Sequence, residues 1–98
     1  MDMSEFSMEK CEAVADTLKV ISHPYRLMIL CLLIDGPKTV GELEHLSGAS
    51  QSSVSQYLKR MKSEGLVNAQ RDGQYIEYEI DDKDLEKLIK SLHKIFCN

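Results

Sequence analysis

Residues 39–67, TVGELEHLSGASQSSVSQYLKRMKSEGLV, contain two short helical patterns separated by a tight turn. The first pattern covers residues 40–46, and its apolar residues recur at helical spacing. We expect Val40, Leu43 and Leu46 to face inward. The glycine that follows closes this helix, because glycine readily adopts the left-handed conformation found at helix C-termini.

The second pattern covers residues 51–63, and Ser50 before it is a suitable N-cap. One stripe along this helix is expected to be buried: Val54, Leu58 and Met61. Two helices joined by a short turn that contains glycine form a helix-turn-helix, which we place at residues 40–64.

Beyond Gly65 the apolar spacing changes from a period near 3.6 to a period of two. The segments LVNAQR and YIEYEI flank Asp72 and Gly73, and this dipeptide is a strong hairpin signal. We expect positive φ at both residues. The sequence therefore predicts a two-stranded wing over residues 66–80, directly behind the helix-turn-helix.

Amphipathic helices are predicted at both ends of the chain. The first covers residues 5–20, with a stripe formed by Met8, Cys11, Ala15 and Leu18. The last covers residues 83–97, with Asp81 or Asp82 as its cap. Both can pack on the domain or on a second subunit.

A further helix is predicted over residues 24–34. Ser22 or His23 can cap it, and Pro24 fits its first turn, where no amide bond is lost. It is apolar on every side after Arg26, which is typical of a central buried helix.

The chain of 98 residues is long enough for one domain, 1–98, of mainly α class with a small β-hairpin. We expect a winged helix-turn-helix of about five helices and a two-stranded wing. Its longest apolar run, residues 27–34, is too short to cross a membrane. The N-terminus lacks the pattern of a signal peptide, so we expect a soluble, cytoplasmic protein.

The net charge of −4 is unevenly distributed. Both ends are acidic, whereas residues 50–71 carry four cations and only Glu64 as an acid. A helix-turn-helix with a wing and a basic middle predicts binding to double-stranded DNA.

The side chains expected to contact DNA lie on the polar side of residues 51–63 and at the tip of the wing. Gln56 can bond a base edge in bidentate fashion, and short serines allow close approach. Lys59 and Arg60 can neutralise phosphates. The full set is Gln51, Ser52, Ser55, Gln56, Lys59, Arg60 and Arg71. Considered alone, such polar residues are also typical of any solvent-facing helix.

Three blocks, SHPYRLMIL, TVGELEHLSGASQSSVSQYLKRMKSEGLV and RDGQYIEYEI, closely resemble the ArsR/SmtB family of small bacterial winged-helix repressors. The resemblance runs from about Leu18 to the C-terminus. It implies a homodimer built from the first and last helices, an inverted-repeat operator, and release of that operator when an inducer is sensed.

Many members of this family sense metals, but their ligand sets are incomplete in this sequence. TVGELEHL lacks the cysteine pair found in some members. A weak mixed site from Asp84, Glu86, His93 and Cys97 is conceivable, although it lacks the usual zinc spacing. We therefore expect no metal or other cofactor, and a metal-responsive repressor remains the alternative.

Cys31 and Cys97 resemble the two cysteines of the persulfide-sensing branch, the BigR and HlyU types. The resemblance implies that reactive sulfur species link the two thiols and that the linked protein releases DNA. Considered alone, Cys31 is more typical of core packing, and Cys11 is interpreted as packing at the dimer interface. No Cys-x-x-Cys motif or nearby base indicates an enzyme. An anti-repressor that displaces a silencing protein also remains open.

Overall fold

The computed structural model describes residues 3–97. After a short 3-10 helix, Met3–Glu5, this part of the chain forms five α-helices and three β-strands. In chain order they are α1 Met8–Ile21, α2 Pro24–Leu33, β1 Lys38–Thr39, α3 Val40–Ser47, α4 Gln51–Ser63, β2 Val67–Asp72, β3 Tyr75–Ile80 and α5 Lys83–Phe96. The mainly helical winged architecture is confirmed.

Each α-helix begins at a side chain that accepts a hydrogen bond from a backbone N–H in its first turn: Ser7, His23, Thr39, Ser50 and Asp82. His23, rather than Ser22, caps α2 through Nδ1. Asp82, rather than Asp81, caps α5 by accepting from the N–H groups of Asp84 and Leu85. Such caps satisfy amides that have no partner within the helix.

The hydrophobic core lies where α2, α3, α4 and α5 meet the sheet. The predicted stripe of α4, Val54, Leu58 and Met61, is fully buried. It packs in one cluster with side chains from the other elements: Val20, Ile29, Leu30, Leu43, Val67, Leu85 and Ile89. The core thus holds one side of α4 in place, and the opposite side of this helix is exposed to solvent.

Two predictions of buried residues are wrong. Leu46 is 50% exposed, because the core covers α3 at Leu43 and does not extend to the next turn of the helix. Helix α2 is not buried on every side, since Met28 is 45% exposed and Cys31 is also exposed. Other elements of the chain cover only part of that side of α2.

The sheet has three strands in the order β1-β3-β2, all antiparallel. The sequence indicated only β2 and β3, because the two residues of β1 are too few to show a period of two. Asp72 pairs with Tyr75, so the turn consists of Gly73 and Gln74. Only the glycine has positive φ, 65°, as in type II′ turns, and the expectation of positive φ at Asp72 is wrong.

Candidate DNA-binding surface and thiol pair

The turn between α3 and α4 is set by Gly48. Its φ of 80° is a left-handed conformation, and its N–H donates to the carbonyl of Glu44, which closes α3. Ala49 is buried behind it, and the Ser50 hydroxyl then accepts from the N–H of Ser53 to begin α4. The chain therefore turns within three residues and holds α4 at a fixed angle to α3.

The outer side of α4 is polar and open to solvent. All six residues proposed there from the sequence are exposed: Gln51, Ser52, Ser55, Gln56, Lys59 and Arg60. Five of them lie away from the stripe that α4 buries in the core, whereas Gln51, in the first turn, lies in line with Val54 and Leu58. This arrangement suits a helix that enters a DNA groove, in which base edges and phosphates are contacted from one side.

The cations of α4 differ in their partners. Arg60 Nε lies 3.6 Å from Glu64 Oε1, and both side chains are about half exposed. Lys59 has no ion pair with any residue from 3 to 97. Since an exposed pair of this kind is weak, Arg60 can still turn to a phosphate, while Lys59 has no competing acid.

The two faces of the wing differ in charge. Alternation along paired strands places Arg71 opposite Ile76, on the face that also carries Tyr78 and Ile80, which pack against the core. The other face carries the wing's acids: Asp72, Glu77 and Glu79. Arg71, the only Lys or Arg in residues 67–80, is therefore directed away from the acidic face.

Three aromatic rings join the start of α2 to α4, a contact that no pattern in the sequence indicated. The His23 ring centroid lies 4.9 Å from that of Tyr57, and Tyr57 stacks on Tyr25 at 6.1 Å. Tyr57 follows Gln56 on α4, so the contact supports the helix beside the proposed base-reading residue. The residues in contact are more than 30 positions apart in the sequence. Helical periodicity describes positions within one helix, so it does not predict a contact between two helices.

Cys31 on α2 and Cys97 at the end of α5 are neighbours in the fold, since Cys97 lies one helical turn beyond His93, which shares a cavity wall with Cys31. All three cysteines are free and exposed, including Cys11 on α1. Partial burial raises the pKa of the Cys31 thiol, and the neighbouring Cys97 raises this pKa further. Cys97 follows α5 directly, and its N–H donates to the His93 carbonyl at 2.8 Å.

A cavity of about 220 Å³ opens beside Cys31. Residues from the end of α2 and from one side of α5 form its wall: Cys31, Ile34, Asp35, Ile89, Lys90 and His93. A small solute in this cavity would contact a thiol, two apolar side chains and charged groups of both signs.

The conceivable metal site is not assembled within one chain. Asp84 and His93 are nine residues apart on α5, which corresponds to about 13 Å along a helix. Among residues 3–97, no three His, Cys, Asp or Glu side chains come together as a metal site would require. None of the described helices has the length and apolar character of a membrane span.

The helix-turn-helix, its polar second helix and the antiparallel wing define the class of this protein: it is a winged helix-turn-helix regulator. The family model for "Bacterial regulatory protein, arsR family" matches residues 23–69. The chain is 45% identical over 87 residues to the HTH-type transcriptional regulator YgaV of Escherichia coli, and the match covers 88% of each chain. This protein belongs to the ArsR family of DNA-binding transcriptional regulators.

Two further relatives match nearly the whole chain. The biofilm growth-associated repressor of Xylella fastidiosa, BigR, is 38% identical over 96 residues, covering 97% of this chain and 84% of that protein. The transcriptional activator HlyU of Vibrio cholerae is 34% identical over 97 residues, covering 99% of this chain and 89% of that protein. A solved HlyU structure superposes with a TM-score of 0.89 at 32% identity, covering 94% of this chain and 100% of that one. The resemblance to the BigR and HlyU types is confirmed.

Proposed function

We propose that this regulator is a repressor whose affinity for DNA is controlled by a Cys31–Cys97 dithiol switch that reacts with reactive sulfur species. The observation that carries the proposal is the placement of two free, exposed thiols: Cys97 lies one helical turn beyond His93, and His93 lines the same cavity as Cys31. Cys31 is on α2, in the body that holds α4, whereas Cys97 ends α5. A bridge between them would tie these two parts together.

The proposed reaction uses low-molecular-weight persulfides, RSSH, as the oxidant. A protein thiolate attacks the terminal sulfur of RSSH, which gives a protein persulfide and RSH. A second RSSH adds another sulfur in the same way and releases a second RSH. The other protein thiolate then attacks the middle sulfur of this chain, so that a trisulfide forms and hydrogen sulfide leaves. Two protein thiols and two persulfides thus yield one trisulfide, two thiols and one hydrogen sulfide.

DNA would be read by α4 and held at the wing. The proposed contacts to base edges come from Gln51, Ser52, Ser55 and Gln56, and those to phosphates come from Lys59, Arg60 and Arg71. The acids on the opposite face of the wing would repel phosphate, which favours an approach from the Arg71 side. A bridge that shifts α5 relative to α2 would move these elements out of register with DNA.

A homodimer formed by α1 and α5 fits the exposed apolar side chains of both helices: Met8, Val14, Leu18, Ile95 and Phe96. A groove of about 410 Å³ with a mainly apolar wall also lies between them. A two-fold dimer would present its two α4 helices to an inverted repeat, in successive major grooves.

Peptide mass spectrometry combined with DNA binding tests the switch. The protein is treated with sodium tetrasulfide and digested with trypsin, and we expect peptide 27–38 to be joined to peptide 95–98 with added sulfur. Affinity for a DNA site selected from a random pool by the reduced protein should fall about 5- to 150-fold. Cys97→Ser should abolish both effects, while Cys11→Ser is the matched control and should change neither. Unmodified thiols with unchanged affinity would overturn the proposal.

The sign of regulation is proposed from BigR, which is named a repressor, whereas HlyU is named an activator. A reporter gene behind the selected site distinguishes the two. Repression predicts higher expression when the protein is deleted. Lower expression on deletion, seen only in the presence of a silencing protein, would instead support an anti-repressor.

A further inference from the structure

The cavity beside Cys31 carries opposite charges across a small apolar floor. Asp35 follows α2 on one side, and Lys90 and His93 project from α5 on the other. Ile34 and Ile89 lie between them, and the Cys31 thiol forms part of the same wall. At about 220 Å³ the space is large enough for a molecule of amino-acid size.

The charges of the cavity are available to a ligand. Lys90 Nζ contacts Glu86 Oε1 at 3.0 Å, but both side chains are roughly half exposed. An exposed pair of this kind is worth little, so Lys90 can exchange this partner for a ligand carboxylate. Asp35 is exposed and has no hydrogen bond or ion pair with any described residue. A ligand ammonium group would meet no competing cation there.

One stripe of α5 links this cavity to the second thiol. Glu86, Lys90, His93 and Cys97 follow one another at steps of three and four residues, which places them on one side of the helix. A donor held at Lys90 and His93 would therefore meet Cys31 within the cavity, one helical turn away from Cys97. This geometry favours transfer to Cys31 followed by capture by Cys97.

We propose that this cavity binds a zwitterionic amino-acid persulfide, with its ammonium group at Asp35, its carboxylate at Lys90 and His93, and its outer sulfur at Cys31. The inference rests on the proposed function and adds the chemical class of the sulfur donor. In the first step the Cys31 thiolate takes the outer sulfur, and the donor leaves as the amino-acid thiol. An inorganic polysulfide is an anion without an ammonium group, so Asp35 would offer it no attraction.

Three donors test the proposal: cysteine persulfide, N-acetylcysteine persulfide and sodium tetrasulfide. N-acetylation removes the ammonium group and leaves the carboxylate. The rate at which peptide 27–38 gains sulfur is measured for the wild type, Asp35→Asn and Lys90→Gln. Each donor's rate on a variant is divided by its rate on the wild type, so that differences in intrinsic reactivity cancel.

Asp35→Asn should slow cysteine persulfide about 2- to 5-fold and should not slow the other two donors, which have no ammonium group. Lys90→Gln should slow all three donors, because each carries negative charge on a carboxylate or on its sulfur chain. The control variants Asp81→Asn and Lys87→Gln alter exposed charges outside the cavity and should have no effect on any donor.

Equal effects of Asp35→Asn on all three donors, or no effect on cysteine persulfide, would overturn this inference. The proposed switch would still stand if tetrasulfide joined Cys31 to Cys97. If no donor joined them, the switch itself would be wrong, and the donor site would fall with it.

Discussion

The surroundings of Cys31 raise the pKa of its thiol. Partial burial is the larger cause, because a thiolate loses hydration there, and the neighbouring Cys97 adds to the effect. Both raise the pKa of Cys31 and so lower the fraction of thiolate at neutral pH. In the proposed switch, such a thiol would react slowly with general oxidants, and a donor held beside it would react faster than a donor free in solution.

The pH dependence of alkylation measures this effect. For Cys31 the rate of reaction with iodoacetamide should keep rising at pH values where a free cysteine has levelled off, because its pKa is raised. Cys97→Ser should lower the pKa of Cys31 only partway, since burial remains. Cys11→Ser should leave it unchanged. A midpoint at or below that of free cysteine would contradict the assignment.

Lys59 and Gln56 should differ in what their loss does to DNA binding. Lys59→Ala should weaken binding to all sequences and reduce the slope of log affinity against log salt by about one per bound subunit. Gln56→Ala should instead cost about 1–3 kcal/mol of discrimination at one base pair per half-site. Titrations on selected and random DNA at several salt concentrations separate the two, with Lys87→Ala on α5 as the control. Equal losses on both DNAs for both variants would refute these roles.

At the scale of elements, helix periodicity in the sequence was sufficient to predict α4. Its buried stripe and its polar side were predicted because residues on one side of a helix recur every three to four positions in the sequence. Short elements were harder: β1 has two residues, and α3 has only one fully buried side chain, which left Leu46 misassigned. The His23 and Tyr57 contact depends on how α2 crosses α4, and local sequence does not encode that angle.

Asp82 should be the residue that stabilises the start of α5. Its Oδ1 accepts from the N–H of Asp84 at 2.9 Å and from that of Leu85 at 3.0 Å. Asp82→Ala should lower the free energy of unfolding by about 1 kcal/mol, and Asp82→Asn by less, because asparagine also caps well. Asp81→Ala is the matched control and should have little effect. Urea unfolding at a fixed protein concentration measures this, and equal losses at both positions would contradict it.

For the whole molecule, contacts within a single chain do not explain why α1 is held as a helix in its place. Of its 14 residues only Val20 and Ile21 are buried, although it carries an apolar stripe. A helix of this length is marginal in water without packing. The sequence showed that α1 is amphipathic but not which surface it covers, and within the described fold only its last two residues are buried. A second copy packed on α1 and α5 would complete both helices.

Ile95 provides a test of that assembly. It is 66% exposed in the single chain, so Ile95→Glu should leave folding nearly unchanged while placing a charge in the proposed interface. Two isoleucines are lost per dimer, and we expect dimerisation to weaken by at least about 100-fold. Sedimentation equilibrium should show monomers, and affinity for an inverted repeat should fall towards that for a single half-site. Lys94→Glu adds charge on the solvent-facing side of α5 and should preserve the dimer. An Ile95→Glu protein that remains dimeric with wild-type affinity would exclude α5 from the interface.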